Sequence, residues 1–473
     1  MQNNKVFSIL RKFDKYEQNR LRKFVQSPYF NRNERLEKLL ELLIKDINSG
    51  AEMISLDRSE TWIKIGHSGP FDDVKLRKDF SDLLRLAEKF IAQEYYEKNG
   101  LYEAEFLLAG INEKKINRLE SGTIKSAARL LNRFPLKSSD FYYHKFAMEK
   151  QIFLLNQDIK AKSEKKNLEA VSKNLDVFYI SEKLRYYCFI LGSKRIAVHD
   201  YDLQMMEQVI RQVENSDYDQ IPVIAVYYQN YLTLSDGEDE EHYFKLKELL
   251  DKYALDFPKV EAFNLYSSTL NYCVRKINSG VGNFLQEYLD VIIDFLEKEI
   301  IFLDDFLAPE VFNNIVVSAL RLEKYSWTEE FILKYIKRIK PKYQENVMTF
   351  NMARLHWYQK NHSKVIELLR EVEYDHLGYN LKSKTILLAT YYDTDEIEPL
   401  YSLLESFRTF LNRHKEIPEH RRKFYQNLIR ITKKLTNIAP NDKKAIEKLK
   451  KEVNENSTVA IHPWLLEKIE ELS

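Results

Sequence analysis

The sequence predicts an all-α fold whose second half is a run of antiparallel helix pairs. Three observations carry this expectation. Eleven Gly and eleven Pro in 473 residues lie far below the roughly 12% these two types share in average usage, and tight turns and strand boundaries depend on them. Apolar residues recur at helical spacing nearly everywhere, with no sustained alternating run of Val, Ile and Thr. One helix-turn-helix pattern, "FNMARLHWYQKNHSKVIELLREV" from Phe350 to Val372, recurs on both sides of itself.

Residues 1–100 read as a helical N-terminal domain. "ERLEKLLELLIKDI" puts Leu36, Leu39, Leu40, Leu43 and Ile47 on one face, with Asn31 before it and "NSG" at 48–50 after it. A long helix from about Val74 puts Leu76, Phe80, Leu83, Leu84, Ala87 and Ile91 on one face, behind Asp72 and Asp73. Residues 101–220 read as an irregular helical region. Residues 221–411 settle into regular hairpins, and 412–473 form a basic helical cap. No low-complexity linker separates these zones.

In the hairpin zone, "IVVSALRLEKYSWTEEFILKYI" places Tyr325 on the turn, with Ser318 and Thr328 as small contacts. In the middle copy the turn position is His362, and in "LLATYYDTDEIEPLYSLLESF" it is Ile397. The steps are thus 37 and 35 residues, one helix pair each. "VIAVYYQNYLTLSDGEDEEHYFKLKELL" and "FNLYSSTLNYCVRKINSGVGNFLQEYLDVII" are weaker copies. A pair of this kind is apolar on more than one side, and stacking buries a continuous seam.

The middle copy is similar to the 34-residue tetratricopeptide (TPR) pattern without a gap. Met352, Ala353, Val365 and Leu369 stand on its apolar or small positions, whereas Thr349 replaces its Trp, His356 its Tyr and Lys360 its turn Gly. The chain resembles a TPR-like α-solenoid over about 308–411, more weakly over 221–300. The segment "KFVQSPYFNRNERLEKLL" resembles one that bacterial proteins carry ahead of such repeats, and implies no activity. The resemblance implies a right-handed α-solenoid of antiparallel helix pairs with a concave groove for a protein or peptide. In that register Asn313, Asn314, Arg321, Asn351, Arg354, Trp357, Tyr358, Lys382 and Tyr392 point into the groove. One TPR subclass clamps a C-terminal carboxylate. Asn351 and Lys382 match two of its positions, but Val317 and Ile386 carry the wrong chemistry at others, so Asn amides on a peptide backbone suit this groove better.

Composition narrows the alternatives. Hydrophobic residues at 44% and aromatics at 13% supply a sizeable core, and 73 basic against 72 acidic residues give no global field toward nucleic acid or membrane. Charge gathers locally: residues 1–35 hold nine Lys/Arg and three Asp/Glu, residues 408–452 fourteen and five, and "DGEDEE" runs from Asp236 to Glu241. Such runs are ordinarily solvated faces or loops. Cys188 and Cys273 sit in apolar helical contexts and read as small buried hydrophobes. The first residues show no signal-peptide core, and no window holds 18 apolar residues, so the expected setting is the cytoplasm.

No catalytic or cofactor constellation emerges. "GVGNFL" at 280–285 lacks a third Gly, and "GHSGP" at 66–70 is one residue short of a nucleophile elbow and reads as a loop. The ten histidines, including the pairs His356/His362 and His414/His420, lack metal-ligand spacing. The pairs Asp72/Asp73 and Asp304/Asp305 suit helix starts. Tyr doublets at 95–96, 142–143, 186–187, 227–228 and 391–392 read as inter-helix core. The expected activity is therefore a non-enzymatic scaffold without cofactor or metal. A second reading is a nucleic-acid-linked regulator. In it Lys75, Arg77 and Lys78 of the long helix enter a groove, although Asp79 and Asp82 interrupt them.

Overall fold

The computed structural model describes residues 4–51, 54–134, 136–155, 167–193, 201, 204–370, 377–455 and 459–472. Val372, the end of the middle copy's pattern, lies outside them. The chain is 79% helical, in 23 α-helices with no strand among the described residues. Two compact units divide it, Met1–Lys183 and Leu184–Ser473.

The first unit begins with α1 (Lys5–Leu10), α2 (Lys15–Gln26), α3 (Glu34–Asn48), α4 (Arg58–Lys64) and α5 (Asp73–Lys98). Their apolar faces make one core of Leu10, Leu21, Leu39, Leu43, Trp62, Leu76 and Leu83. Asp14 caps α2 in a reciprocal capping box with Glu17. Asn33, not Asn31, caps α3. Asn31 is buried and its amide donates to the carbonyls of Val25 and Asn33, bracing the entry to the helix. Asp72 caps α5 by accepting from the N–H of Val74 and Lys75. Along α5 the buried stripe runs through Leu76, Phe80, Leu83, Ala87 and Phe90. Ile91 is exposed, because steps of four and three end the stripe on Phe90, and its neighbour is turned about 100° away. α6 (Gly100–Lys114), α7 (Asn117–Arg133) and α8 (Ser139–Leu155) form a second cluster around Leu108, Ile111 and Met148. α9 (Leu168–Ser193) follows and carries the boundary between the units.

The second unit continues with α10 (Met206–Glu214), α11 (Pro222–Ser235), α12 (Glu240–Tyr253), α13 (Lys259–Asn278), α14 (Phe284–Glu297), α15 (Pro309–Arg321) and α16 (Tyr325–Tyr335). Then come α17 (Pro341–Tyr358), α18 (His362–Leu369), α19 (Leu377–Asp393), α20 (Ile397–Arg413), α21 (Glu419–Leu435), α22 (Lys443–Glu455) and α23 (His462–Glu471). Neighbours pack in pairs: α11 with α12, α13 with α14, α15 with α16, α17 with α18, and α19 with α20. Each pair packs on the next, and the first helices also touch one another, α11 on α13, α15 on α17 and α17 on α19. Pro222, Pro309 and Pro341 open α11, α15 and α17, and Pro258 and Pro418 directly precede α13 and α21. Proline fits there because the first helical N–H has no partner to lose.

The turns repeat at atomic level. Glu323, Lys360 and Asp395 all have φ near +57°. Just after them, Lys324 N–H donates to Ala319 O (3.0 Å), Asn361 N–H to His356 O (2.8 Å) and Glu396 N–H to Tyr391 O (2.9 Å). This is a Schellman closure, which normally places Gly at the left-handed residue. The second helices start at Tyr325, His362 and Ile397, the positions chosen from sequence. Counting back from the turns corrects one contact. Val316, Ala353 and Leu388 are the equivalent fully buried residues, whereas Ser318 is only half-buried, two positions off. Glu323→Gly is expected to stabilise the protein by about 0.5 kcal/mol. Relief of about 1–2 kcal/mol of left-handed strain outweighs the extra entropy of an unfolded Gly, and a raised urea midpoint is the measurement.

Other sequence expectations meet the structure as follows. Asp304 and Asp305 lie in the turn before Pro309 rather than at a helix start. Of the Tyr doublets, Tyr227 and Tyr391 are buried, but Tyr95 and Tyr186 are exposed. Both cysteines are buried and free. Burial raises both thiols, Cys273 to about 12. Among the described residues no helix is long and apolar enough to cross a membrane.

Candidate functional site

The site is built on the first helices α15, α17, α19 and α21. Within α15, Glu310, Asn313 and Val317 are three and four residues apart and share a face; Tyr379, Lys382 and Ile386 do the same in α19. These faces meet through a buried hydrogen-bond chain. The Asn351 amide of α17 donates to Asn313 Oδ1 (2.7 Å) and to Val347 O (2.7 Å), and the Asn313 amide donates to the Tyr379 hydroxyl (2.8 Å). Tyr379 in turn packs edge-on against Phe350, ring centroids 5.1 Å apart.

Beside this chain lies an unusual arginine. Arg354 is only 8% exposed, and its guanidinium sits 4.4 Å from the centre of the Phe350 ring. Its Nη1 has no hydrogen-bond partner, and neither does Oδ1 of the adjacent Asn351. Burial pushes the Arg354 pKa down to about 10, with Tyr358 and Tyr379 acting against the shift and no carboxylate among the causes. The group therefore stays charged at neutral pH.

Lys382 reaches solvent, yet desolvation is the largest cause lowering its pKa, followed by Arg354 and Arg421, while Glu310 acts against it. Burial likewise raises Tyr358, opposed by Arg354 and Arg321.

The residues expected to line a groove thus divide. Asn313, Asn351 and Arg354 come together but are buried. They are buried rather than exposed contacts, with the Asn351 amide donating to Asn313 and the Asn313 amide to Tyr379 across helices. Lys382, Arg321 and Asn314 are exposed, and Trp357 and Tyr358 are half-buried and edge-to-face at 5.3 Å. Tyr392 stands apart: Trp464 of α23 packs edge-on against it at 5.5 Å, and the Trp464 indole N–H donates to Asp393 Oδ1 (3.1 Å). Lys468 also reaches Asp393 at 3.2 Å, so the last helix occupies that end of α19.

Sequence reasoning missed Glu310 and Tyr379. Each sits three residues before a chosen residue, Asn313 and Lys382, and extending the faces by one turn would have found both. Val317 and Ile386 are apolar and half-buried or buried, so neither supplies a cation.

In the first unit the start of α5 is electrostatically paired. Lys75 bonds Asp72 (3.5 Å), Arg77 bonds Asp73 (2.6 Å) and Arg85 bonds Asp82 (3.2 Å). Asp79 is buried and holds His67 at 2.6 Å, with Arg35 at 3.6 Å. His67 in turn stacks on Trp62, which gives the "GHSGP" loop a structural anchor. Among the described residues no three His, Cys, Asp or Glu side chains gather to hold a metal ion.

Comparison of the chain with protein-family models, with curated proteins and with solved structures gives no match. The class it defines is therefore structural: an all-α protein of helices packed in neighbouring pairs.

Proposed function

We propose that this chain is a non-enzymatic protein-interaction scaffold, a right-handed TPR-like solenoid of antiparallel helix pairs whose first helices bind a peptide or helix. One observation supports it most. Glu310, Arg354 and Arg421, from three other first helices, all lie close enough to act on the charge of Lys382 in α19. A surface assembled from one residue per repeat is what a groove along stacked pairs presents. The recurring Schellman turns and the direct packing of first helices support the same reading.

The test is affinity capture from lysate with and without nuclease, with wild type beside Lys382→Ala/Arg421→Ala. Both side chains are exposed, so each substitution should change stability by less than about 0.5 kcal/mol. A groove-bound partner should lose about 1.5–3 kcal/mol of binding per charge-assisted contact removed. A partner retained equally by both proteins overturns the groove. Nucleic acid as the main co-purifying species would instead favour the regulator reading.

A further inference from the structure

A cleft of about 520 Å³ opens between α9, α11 and α13, with all of its lining residues in the second unit. Its volume is that of a ligand site. Much of its wall is apolar. Cys188 and Leu265 are buried in it, whereas Phe189 and Val274 are 51% and 40% exposed although they face a concavity. Most polar groups of the wall are already engaged with one another. The Tyr227 hydroxyl donates to Glu261 Oε1, and Arg185 lies 3.6 Å from Glu261 Oε2. Ser268 donates to Asn230 Oδ1 (2.8 Å) and Ser267 to Phe263 O (2.8 Å). Asn264 and Asn271 differ. Both line the cleft, both are exposed, and their side chains make no hydrogen bond among the described residues. Being seven residues apart, they share one face of α13, about 10.5 Å from each other along its axis.

We propose that this cleft binds an extended peptide segment, which inserts one large apolar side chain against Phe189 and Val274 and is held through its backbone by the amides of Asn264 and Asn271. The inference rests on the reading of the first helices as the binding side, since α11 and α13 belong to that row. Length argues for a chain rather than a compact molecule. The lining residues of α13 run from Glu261 to Arg275, about 21 Å of helix, which about six extended residues span. The amides argue for a backbone whose groups are free. Each offers a carbonyl acceptor and an N–H donor, the complement of a peptide group. Their separation is close to the distance of about 9–10 Å from the N–H of one extended residue to the C=O of the residue two further on, and those two groups point to the same side of the chain. The residue between them turns its side chain to the opposite face from theirs, so a single anchor enters the apolar wall. A helical partner has spent its backbone groups on itself, and an acyl chain has none to offer.

The experiment presents the full chain to a displayed library of random peptides and measures the best enriched peptide, once synthesised, by fluorescence anisotropy. Enriched sequences are expected to share one large apolar residue. Asn264→Ala and Asn271→Ala are each expected to weaken binding by roughly twofold to tenfold, and Val274→Arg, which puts a charge on the apolar wall, by roughly tenfold or more. All three residues are exposed, so the thermal midpoints should stay at the wild-type value. The backbone contact has its own readout. N-methylation of the residue just before the anchor removes the N–H offered to an Asn carbonyl and should weaken binding, whereas N-methylation of the anchor, whose N–H points away, should weaken it less. A cleft that merely takes up an apolar side chain would not distinguish the two. No enriched peptide, or one whose affinity none of the three variants alters, overturns the proposal. So does tighter binding of a helix-locked form of the peptide, which would assign the cleft to a helical partner. Binding of anilinonaphthalene sulfonate that Val274→Arg abolishes, with no peptide response, would assign it to a small apolar ligand and equally overturn the proposal. Peptides lost by Lys382→Ala/Arg421→Ala but not by Val274→Arg would sink this site and leave the scaffold reading standing. Peptides lost only by Val274→Arg, beside lysate capture indifferent to Lys382 and Arg421, would keep this site and sink the α15–α21 face.

Discussion

Phe350→Ala is expected to destabilise the second unit by about 3–5 kcal/mol. Phe350 is fully buried in the middle of α17 and touches three things at once. Its ring packs edge-on against Tyr379 of α19, it carries the Arg354 guanidinium on its face, and it fills the seam between first helices. Truncation leaves a cavity the size of the ring, and the helices on either side, fixed by their own turns, close it only in part. Two smaller losses add to the cavity: an aromatic pair worth about 0.5–1.5 kcal/mol and a cation–π contact worth about 2 kcal/mol when desolvated. Phe350→Leu keeps most of the volume but neither ring interaction, so it should fall well short of the alanine cost. Urea denaturation of both variants separates cavity from ring chemistry. An alanine variant within about 1 kcal/mol of wild type would mean that the seam between α17 and α19 is not packed as described.

How far the sequence showed this arrangement depends on what each feature rests on. The pairing of helices was legible because it rests on local signals, the apolar period and the turn. The second helices begin at Tyr325, His362 and Ile397, the residues the spacing selects. The prolines at 222, 258, 309, 341 and 418 mark first-helix starts and are visible in the sequence, but they do not stand out by spacing because the loops before them differ in length. The polar chain was half-legible. Register puts Asn351 and Arg354 on one face, but whether a polar residue on that face meets water or another helix depends on side chains 30 to 70 positions away. The Tyr379 hydroxyl accepts from the Asn313 amide, and only the packed structure shows that. The nearness of Arg421 to Lys382 was not legible at all. Arg421 lies in a run of basic residues that ordinarily marks a solvated face, and its nearness to Lys382 comes from the stacking of α21 on the pairs before it.

Burial also reverses the expected response of Asn351. As an exposed groove residue it would tolerate alanine; fully buried, it should cost about 1–3 kcal/mol when truncated. The reason is what the substitution leaves behind. Asn313 Oδ1, itself buried, loses the donor that satisfies it, and Val347 O loses its side-chain donor as well. Asn313→Ala should cost a similar amount, because it removes one acceptor of the Asn351 amide and a donor to the Tyr379 hydroxyl. The double variant removes donor and acceptor together, so it should cost less than the sum of the singles, with a coupling on the order of 0.5–3 kcal/mol. A thermodynamic cycle over the three variants measures that coupling, with wild type as the fourth corner. Strict additivity would mean that the two amides do not bond in solution. A coupling of the expected size would place a buried polar tie between α15 and α17.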